Sequence, residues 1–315
     1  MRIAFIDHVH PVLAERLQAA GHQCLSLETT PDEQITSALD QAEGIIVRSR
    51  RVDADTIAAI PALRFIGRVG SGLENIDREQ CARQAVQVFN SPEGNRDGVG
   101  EMAIAHLLVL MKHVCRAHAE VGEGQWRREP NRGHDLAGAT VGIIGYGHMG
   151  TAFAEKLAGF GVRVLAHDKY RSGFSAGLVE EASLERVQQE ADVISLHLPL
   201  NNETRHYADH DFFAALRRPV WFLNTSRGPV VDTAALLEAL DNGRVRGAGL
   251  DVLEFERPDL SGLDREAGGE TLDRLLRHER VLITPHVAGV THEGKEKMAA
   301  VLADKILNAF PHGTP

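Results

Sequence analysis

Short apolar runs alternate with amphipathic segments along the first ninety residues of the chain. The apolar runs are too short for helices and predict strands at residues 3–6, 44–47, 65–69 and 87–89. The segments between them predict helices at residues 11–20, 32–42, 53–59 and 77–84, with Asp32 and Asp53 as N-caps. Strands that alternate with helices indicate βαβ units, so this stretch predicts an α/β fold with a parallel sheet.

The alternation breaks at the turn-rich residues 91–95, a candidate domain junction, and a single long helix is predicted over residues 99–119. A second and larger alternating series then begins. Its predicted strands cover residues 141–144, 162–166, 193–196, 220–223, 247–250 and 281–283, and a last helix covers 291–309. The pattern therefore predicts two successive α/β series.

Composition narrows the function classes. The 315 residues suffice for two ordinary domains, and 43% hydrophobic with 25% charged residues is typical of globular proteins. The formal net charge of -10 disfavours binding to nucleic acids or anionic lipid surfaces, because a field of that sign repels phosphate. We therefore expect neither partner.

The spacing of the cysteines and histidines indicates neither a disulfide framework nor a metal site. Cys24, Cys81 and Cys115 are scattered without a C-x-x-C, as expected for reduced thiols in a cytoplasmic protein. The apolar run at 3–6 is too short for a signal peptide, and the run at 103–111 is too short for a membrane span. Pairs of nearby histidines lack a third ligand, so no metal site is expected.

A glycine-rich turn follows the predicted strand at 141–144. Gly145, Gly147 and Gly150 form a G-x-G-x-x-G, and an amphipathic segment follows them. The first glycine permits a tight turn, the second lets the backbone approach a pyrophosphate, and the third allows close packing of helix on strand. The motif predicts a dinucleotide site, although a glycine-rich turn without a ligand remains the alternative.

A carboxylate follows the next strand at the spacing that NAD recognition requires. Asp168 lies 18 residues after Gly150, where it can accept a hydrogen bond from a ribose 2′-hydroxyl and repel a 2′-phosphate. Lys169 and Arg171 lie directly beyond it and leave some use of NADP open. The cofactor predicted from these residues is NAD.

Three later strands each lead into a chemically useful residue. Arg227 can bind a carboxylate with two parallel hydrogen bonds, and His286 can exchange a proton near neutral pH. Glu256, in the loop after Asp251, can hold the imidazole and favour its charged form. Each residue alone could be an ordinary surface group, so the inference rests on the three strand ends together.

These residues carry a family resemblance over nearly the whole chain. The chain resembles the NAD-dependent D-isomer-specific 2-hydroxyacid dehydrogenases. Within that family it is most similar to the enzymes that act on D-3-phosphoglycerate. The matching segments are VRSR (47–50), GRVGSGLENID (67–77), SPEGN (91–95), GYGHMG (145–150), LHLPL (196–200), NTSRG (224–228), LDV (250–252) and TPHVAG (284–289).

The resemblance implies a role for each matched position. It implies that Arg227 binds the substrate carboxylate and carbonyl, and that His286 is the acid/base, paired with Glu256. Implied cofactor contacts are Gly145, Gly147, His148, Met149, Gly150, Asp168, His197, Pro199, Thr204, Thr225, Ser226, Arg227, Asp251, His286 and Gly289. Implied substrate contacts are Arg48, Ser49, Arg50, Val69, Gly70, Ser71, Gly72, Asn95, Arg227 and His286.

The resemblance also implies the arrangement of the lobes. A Rossmann-type doubly wound sheet (97–289) is inserted into a smaller flavodoxin-like substrate lobe (1–96 plus 290–315). It implies a homodimer formed through the dinucleotide lobe, with residues 125–127 reaching across, and we expect no regulatory domain after the last helix. An ordinary exposed basic loop is the alternative to phosphate binding by Arg48 and Arg50.

Two questions stay open in the sequence. The 30-residue spacing between Glu256 and His286 is longer than the family usually shows, which makes Glu254 a rival partner for the histidine. The substrate is also open: a glyoxylate, hydroxypyruvate or D-lactate reductase is the alternative to an enzyme of phosphoglycerate. From another class, a non-catalytic, corepressor-like sensor of NAD(H) is the rival function.

Overall fold

The chain opens with alternating strands and helices. In order these are β1 (Arg2–Phe5), α1 (Val12–Ala19), β2 (Gln23–Ser26), α2 (Asp32–Ala38), β3 (Gly44–Val47), α3 (Ala54–Ala58), β4 (Phe65–Arg68), α4 (Arg78–Arg83) and β5 (Gln87–Asn90). All four strands predicted in this stretch are confirmed, with ends that differ by no more than one residue.

Two helices then lead into the second series. These are α5 (Pro92–Met111) and α6 (Val114–Gly122), followed by β6 (Thr140–Ile144), α7 (His148–Lys156), β7 (Arg163–His167), β8 (Val179–Glu181), α8 (Leu184–Glu190), β9 (Val193–Leu196), α9 (His210–Ala214), β10 (Val220–Asn224), α10 (Thr233–Asp241), β11 (Val245–Leu250), α11 (Arg265–Arg277), β12 (Val281–Ile283) and α12 (His292–Ala309).

This structure is a computed structural model that describes residues 1–257 and 259–311. Contacts divide the chain into two units. One comprises Met1–Arg96 with Val290–Pro315, and the other comprises Asp97–Gly289. Each unit has its own parallel sheet and its own buried apolar clusters, so the predicted α/β class with parallel sheets is confirmed.

The sheet of the first unit has the strand order β2-β1-β3-β4-β5, with every pair parallel. This is the flavodoxin-like order. Helix α12 packs on the sheet through Leu302 and Ile306, and Phe310, just after it, stacks on Phe65 of β4 with ring centroids 5.3 Å apart. The last helix therefore completes the core that the first ninety residues begin.

The sheet of the second unit has the order β12-β11-β10-β9-β6-β7-β8, again parallel throughout. The chain reverses its direction of travel across the sheet between β6 and β9. In an open parallel sheet, ligands bind at the carboxyl ends of the strands beside such a switch point. The topology therefore points to the loops that follow β6, β7 and β9.

Two edge strands escape the prediction from the sequence. Strand β2 is mostly exposed and partly polar, and β8 is three residues long. Because an edge strand is not buried on both faces and both sides, it needs no continuous apolar run and gives no such signal.

The single helix predicted over residues 99–119 is wrong. It begins earlier, at Pro92, so the turn-rich residues 91–95 largely belong to its first turn, and His113 breaks it by adopting a left-handed backbone with φ 54°. In the described part of the chain no single helix is long and apolar enough to cross a membrane. By length and composition α5 and α6 qualify only as a pair, bent by 59° where they meet.

Of the two predicted N-caps, one is right and one is wrong. The side chain of Asp53 caps α3 by accepting a hydrogen bond from the Thr56 N–H at 2.9 Å. Asp32 is the first residue of α2 itself, because Pro31 occupies the capping position. An aspartate in the first helical turn is still favoured by the helix dipole.

Candidate active site

The glycine turn lies between β6 and α7 and is tightly packed on one side. Gly145 has φ +91°, and a Cβ there would lie 2.4 Å from the carbonyl oxygen of His197. A Cβ on Gly150 would lie 2.1 Å from the carbonyl oxygen of Gly145. Both positions therefore require glycine for the turn and for the close approach of α7 to β6.

The other side of the turn is open. A Cβ on Gly147 would meet nothing within 4 Å among the described residues. Gly147 precedes α7, whose first turn holds His148 and Met149, and the first amides of a helix lack intrahelical acceptors. An open backbone beside the positive end of a helix fits a pyrophosphate group, so these residues suit the phosphates of a dinucleotide.

Asp168, directly after β7, is bound to the backbone of the glycine turn. Its Oδ2 accepts a hydrogen bond from the Tyr146 N–H at 2.8 Å, and its Oδ1 accepts from Tyr170 and Arg171 at 2.9 and 3.0 Å. A carboxylate offers about four acceptor positions, so three amides leave room for one further donor. The Arg171 guanidinium donates to the carbonyl oxygen of Tyr146 and lies over its ring.

The loop after β9 carries three more predicted cofactor contacts. His197 is buried, and its Nε2 lies 2.9 Å from the Ser195 hydroxyl. Burial lowers the pKa of His197 to about 3, so this imidazole is neutral. The Thr204 hydroxyl donates to the carbonyl oxygen of Pro199 at 2.6 Å and stabilises the loop.

The two proposed acid/base partners meet directly. The Nδ1 atom of His286 lies 2.8 Å from Oε2 of Glu256, and both side chains are partly buried. The other oxygen of Glu256 accepts a hydrogen bond from the Leu253 N–H at 2.7 Å. Both carboxylate oxygens are therefore held, which fixes the glutamate against the imidazole.

Glu254 makes a different set of contacts. Its Oε1 lies 2.6 Å from Nε2 of His206, and its Oε2 accepts from both the hydroxyl and the N–H of Thr233, at 2.7 and 3.0 Å. Of the two rival glutamates, the structure therefore pairs Glu256 with His286 and uses Glu254 to attach the loop to the start of α10.

Asp251, at the end of β11, holds the backbone that carries His286. It is 1% exposed, and its Oδ1 and Oδ2 accept hydrogen bonds from the amides of Val287 and Ala288 at 3.0 and 2.8 Å. Its backbone oxygen accepts from the His286 N–H at 2.7 Å. His286 has φ 54°, a left-handed conformation that is uncommon for residues other than glycine.

Arg227 follows β10 in a loop that Asn224 organises. The Asn224 amide group donates to the carbonyl oxygen of Arg227 at 3.0 Å and accepts from the N–H and hydroxyl of Ser226 at 3.0 and 2.7 Å. Thr225 and Ser226 are buried. Nη1 of Arg227 donates to the backbone carbonyl oxygen of Ser226 at 2.7 Å. Gly289 is the last residue of this unit.

Predicted substrate residues lie in two loops of the first unit. After β3, the amides of Arg48, Ser49 and Arg50 all donate to one oxygen of Asp7, at 2.7, 2.7 and 3.0 Å. The Arg50 Nε lies 3.4 Å from Asp32 and 3.8 Å from Asp7. The structure thus commits Arg50 to ion pairs, whereas the Arg48 side chain is exposed.

The loop at Val69–Gly72 is held by polar groups of the same unit. The Gly70 N–H donates to the Ser91 hydroxyl at 3.2 Å, and the Ser71 hydroxyl donates to Asn95 at 2.9 Å. One of the predicted carboxylate donors, the Gly70 amide, therefore already has a protein acceptor. The amides of Ser71 and Gly72 remain as candidates for that role.

Sequence reasoning missed three supporting residues, Asp7, Ser91 and Asn224. Each acts through its side chain on the backbone of a loop that carries a predicted site residue. Asp7 and Asn224 stand at or just after the end of a buried strand, which is the one signal the sequence offered for them. In the described part of the chain, no three His, Cys, Asp or Glu side chains gather as a metal site requires.

Comparison with known proteins agrees with this geometry. The NAD binding domain of the D-isomer specific 2-hydroxyacid dehydrogenases matches residues 104–288. Hydroxypyruvate reductase of Thermotoga maritima is 33% identical over 275 residues, which is 87% of each chain. D-3-phosphoglycerate dehydrogenase of Bacillus subtilis is 34% identical over 276 residues, 87% of this chain and 50% of that one.

A solved structure shows the same fold along its length. D-lactate dehydrogenase of Aquifex aeolicus, solved with NAD and lactic acid, gives a TM-score of 0.81 at 26% identity, over 99% of this chain and 95% of that one. The chain spans about half the length of the Bacillus subtilis relative.

The fold and the glycine turn together define a dinucleotide-binding protein. The chain belongs to the D-isomer-specific 2-hydroxyacid dehydrogenase family, and its cofactor is NAD. The predictions of the family and of the cofactor are confirmed.

The two sides of the glycine turn should respond differently to one added methyl group. Gly147→Ala should leave the melting temperature nearly unchanged and weaken NADH binding by about tenfold or more, because the methyl group fills the open side. Gly150→Ala should destabilise the fold by about 1–3 kcal/mol, because its Cβ meets backbone. Thermal unfolding measures the stability of both variants, and NADH fluorescence titration measures their affinity for the cofactor. Wild-type affinity in Gly147→Ala would contradict the assignment of the glycine turn to the phosphates.

Buried His197 should make the second unit less stable in acid. Its folded pKa of about 3 lies below the unfolded value of about 6.5, so the unfolded state binds more protons and stability falls as the pH drops from 6.5 toward 3. Because at most one proton is involved, the free energy of unfolding should change by at most about 1.4 kcal/mol per pH unit. His197→Gln should flatten this slope.

Urea unfolding followed by tryptophan fluorescence measures the effect, since Trp126 and Trp221 both lie in the second unit. Slopes that stay parallel between wild type and variant over pH 7 to 5 would contradict the prediction.

Proposed function

We propose that this chain oxidises a D-2-hydroxyacid to the 2-oxoacid with NAD, and catalyses the reverse reduction. The observation that carries the proposal is the 2.8 Å contact between His286 Nδ1 and Glu256 Oε2. Bound NAD supplies the hydride acceptor. The proton chemistry and the binding of the anion belong to side chains of the protein.

The contact between glutamate and histidine selects a tautomer of the imidazole. A carboxylate only accepts hydrogen bonds, so Nδ1 of His286 carries a proton toward Glu256 and Nε2 is the basic atom. In the oxidation Nε2 takes the hydroxyl proton as the C2 hydrogen leaves as hydride and the carbonyl forms. Glu256 then stabilises the imidazolium, and the same proton returns in the reduction.

Arg227 is proposed to bind the substrate carboxylate and polarise its carbonyl. A guanidinium holds five donors in a planar fork that matches a carboxylate. The hydrogen bond from Asn224 to the Arg227 carbonyl, and those within the loop, fix the backbone from which the side chain extends. Such a group supports catalysis by orientation as well as by charge.

For the substrate we propose D-3-phosphoglycerate, oxidised to 3-phosphohydroxypyruvate as in the first step of serine biosynthesis. Support comes from the 34% identity to the Bacillus subtilis enzyme of that name and from the exposed Arg48 beside the first sheet. In this proposal Arg48 supplies the positive charge for the phosphate group.

Hydroxypyruvate is the second candidate substrate, as for a hydroxypyruvate reductase. Two observations favour it. Arg50, the other arginine expected to contact phosphate, is ion-paired with Asp7 and Asp32. The hydroxypyruvate reductase of Thermotoga maritima also matches over 87% of both chains, whereas the Bacillus subtilis enzyme is about twice as long as the matched region.

We also propose a cytoplasmic homodimer formed through the second unit. Helix α6 buries none of its residues, and Val114, Val121 and Trp126 are 49%, 52% and 80% exposed. Apolar side chains clustered on an unburied helix and the segment after it favour contact with a second copy. Light scattering on the purified protein would show a monomer mass of 34.4 kDa if this proposal is wrong.

Removal of the proposed acid/base should separate catalysis from cofactor binding. His286→Ala should lower kcat by about 10²–10⁴-fold while the Kd for NADH stays within about threefold, because the imidazole acts on the substrate proton. His206→Ala is the matched control, since His206 also pairs with a glutamate, Glu254. Stopped-flow turnover and NADH fluorescence measure the two effects, and wild-type turnover in His286→Ala refutes the mechanism.

Arg48 should decide between the two substrates. If the substrate is phosphorylated, Arg48→Ala should lower kcat/KM for 3-phosphohydroxypyruvate by about 10–100-fold, because a hydrogen bond to a charged group is lost. The kcat/KM for hydroxypyruvate should change little. Arg51→Ala, at the neighbouring exposed arginine, is the control.

Steady-state NADH oxidation on 3-phosphohydroxypyruvate, hydroxypyruvate, glyoxylate and pyruvate gives the measurement. Equal small losses on every substrate would favour the hydroxypyruvate reductase. Tight NADH binding with no turnover on any of the four would instead favour a sensor of NAD(H).

A further inference from the structure

A histidine inside α5 has no part in the proposed chemistry, yet it is built into the core next to the site. His106 is 2% exposed, and its Nε2 lies 3.1 Å from the Thr284 hydroxyl oxygen. Across from it, a Cβ on Gly249 would lie 2.9 Å from the His106 Cβ and 3.2 Å from Nδ1. The glycine in β11 therefore makes room for this imidazole.

Hydrogen-bond directions along this contact are fixed by Asp251. The Thr284 hydroxyl also contacts Oδ1 of Asp251, and a carboxylate only accepts. Because a hydroxyl has one proton, Thr284 donates it to Asp251 and must accept from His106. His106 therefore carries a proton on Nε2. Burial lowers the pKa of His106, and among the described residues its buried Nδ1 has no hydrogen-bond partner, so the ring is the neutral tautomer.

The chain of contacts ends at the backbone around His286. Asp251 binds the amides of Val287 and Ala288 through its side chain and the amide of His286 through its backbone oxygen. A change in the side chain of Asp251 would act on both residues that follow His286. Thr284, two residues before it, is the point at which His106 enters this network.

We infer that His106 is a positioning residue for His286, acting through Thr284 and Asp251. The Nε2–H of His106 donates to the Thr284 hydroxyl oxygen, so the hydroxyl proton points at Asp251. That hydrogen bond keeps the Asp251 carboxylate in one orientation. The backbone of His286 is left-handed, and the amides of the two residues that follow it bind that carboxylate. The contacts stand by themselves, but their value for turnover rests on the proposed function.

The test compares an apolar and a conservative replacement. His106→Leu and Thr284→Val each break the chain of hydrogen bonds while keeping the volume nearly constant. His106→Gln retains an N–H donor at a similar reach and should restore the contact. His134→Leu, which removes another ring from the same unit, is the control.

Histidine ¹⁵N NMR gives a readout that needs no turnover. We expect the imidazole signals of His286, assigned with His286→Gln, to shift in His106→Leu and in Thr284→Val and to stay at wild-type positions in His106→Gln and His134→Leu. Unchanged His286 signals in both disruptive variants would overturn the inference, whether or not the enzyme is active.

Kinetics give the second readout. His106→Leu should lower kcat about tenfold or more, since small misplacements of a catalytic group are costly, while the Kd for NADH stays within about twofold. The double variant His106→Leu/Thr284→Val should lose no more than Thr284→Val alone, because both act on one chain of contacts. Additive losses would overturn the inference, and shifted His286 signals in a protein without turnover would refute only the proposed function.

Discussion

One buried carboxylate, that of Asp251, holds the loop that carries His286 in its left-handed conformation. A charged group that is 1% exposed costs free energy unless its acceptor positions are filled. Here the hydroxyl of Thr284 and the amides of Val287 and Ala288 occupy three of the about four acceptor positions. These contacts offset the burial of the charge and the left-handed backbone of His286 at the same time, so the loop and the carboxylate stabilise each other.

The order of the strands explains why this arrangement is available. β10, β11 and β12 are parallel neighbours, so Asn224, Asp251 and Thr284 lie at one edge of the sheet. Asn224 holds the loop of Arg227, and Asp251 with Thr284 holds that of His286. The side chains at the strand ends bind the loop backbones, and the side chains proposed for the chemistry, those of Arg227 and His286, belong to the loops. Candidate functional residues thus lie on loops, and residues of the rigid sheet hold those loops in position.

The sequence predicted most of the fold because buried parallel strands are continuous apolar runs. It failed where that signal is absent, at the exposed edge strand β2, at the three-residue edge strand β8, and at His113, whose φ of 54° breaks the long helix. For the candidate site, residue type and strand-end position indicated Arg227, Glu256 and His286. The choice between Glu256 and Glu254 needed coordinates, because both lie in one loop and only three-dimensional contacts separate them. Asp7 and His106 each act on a partner distant in sequence, and Asn224 acts within its own loop, so their roles needed coordinates as well.

The distribution of charge follows the same logic of local pairing. The chain carries a net charge of -10, and Arg50 is neutralised within its own unit by Asp7 and Asp32. Asp7 also occupies the three amides of residues 48–50, a concave set of donors that could otherwise bind an anion. These three amides therefore bind the carboxylate of Asp7 and are not available to an external anion. Two arginines of that segment, Arg48 and Arg51, stay exposed, and in the proposed function Arg48 supplies the charge for a small anionic substrate.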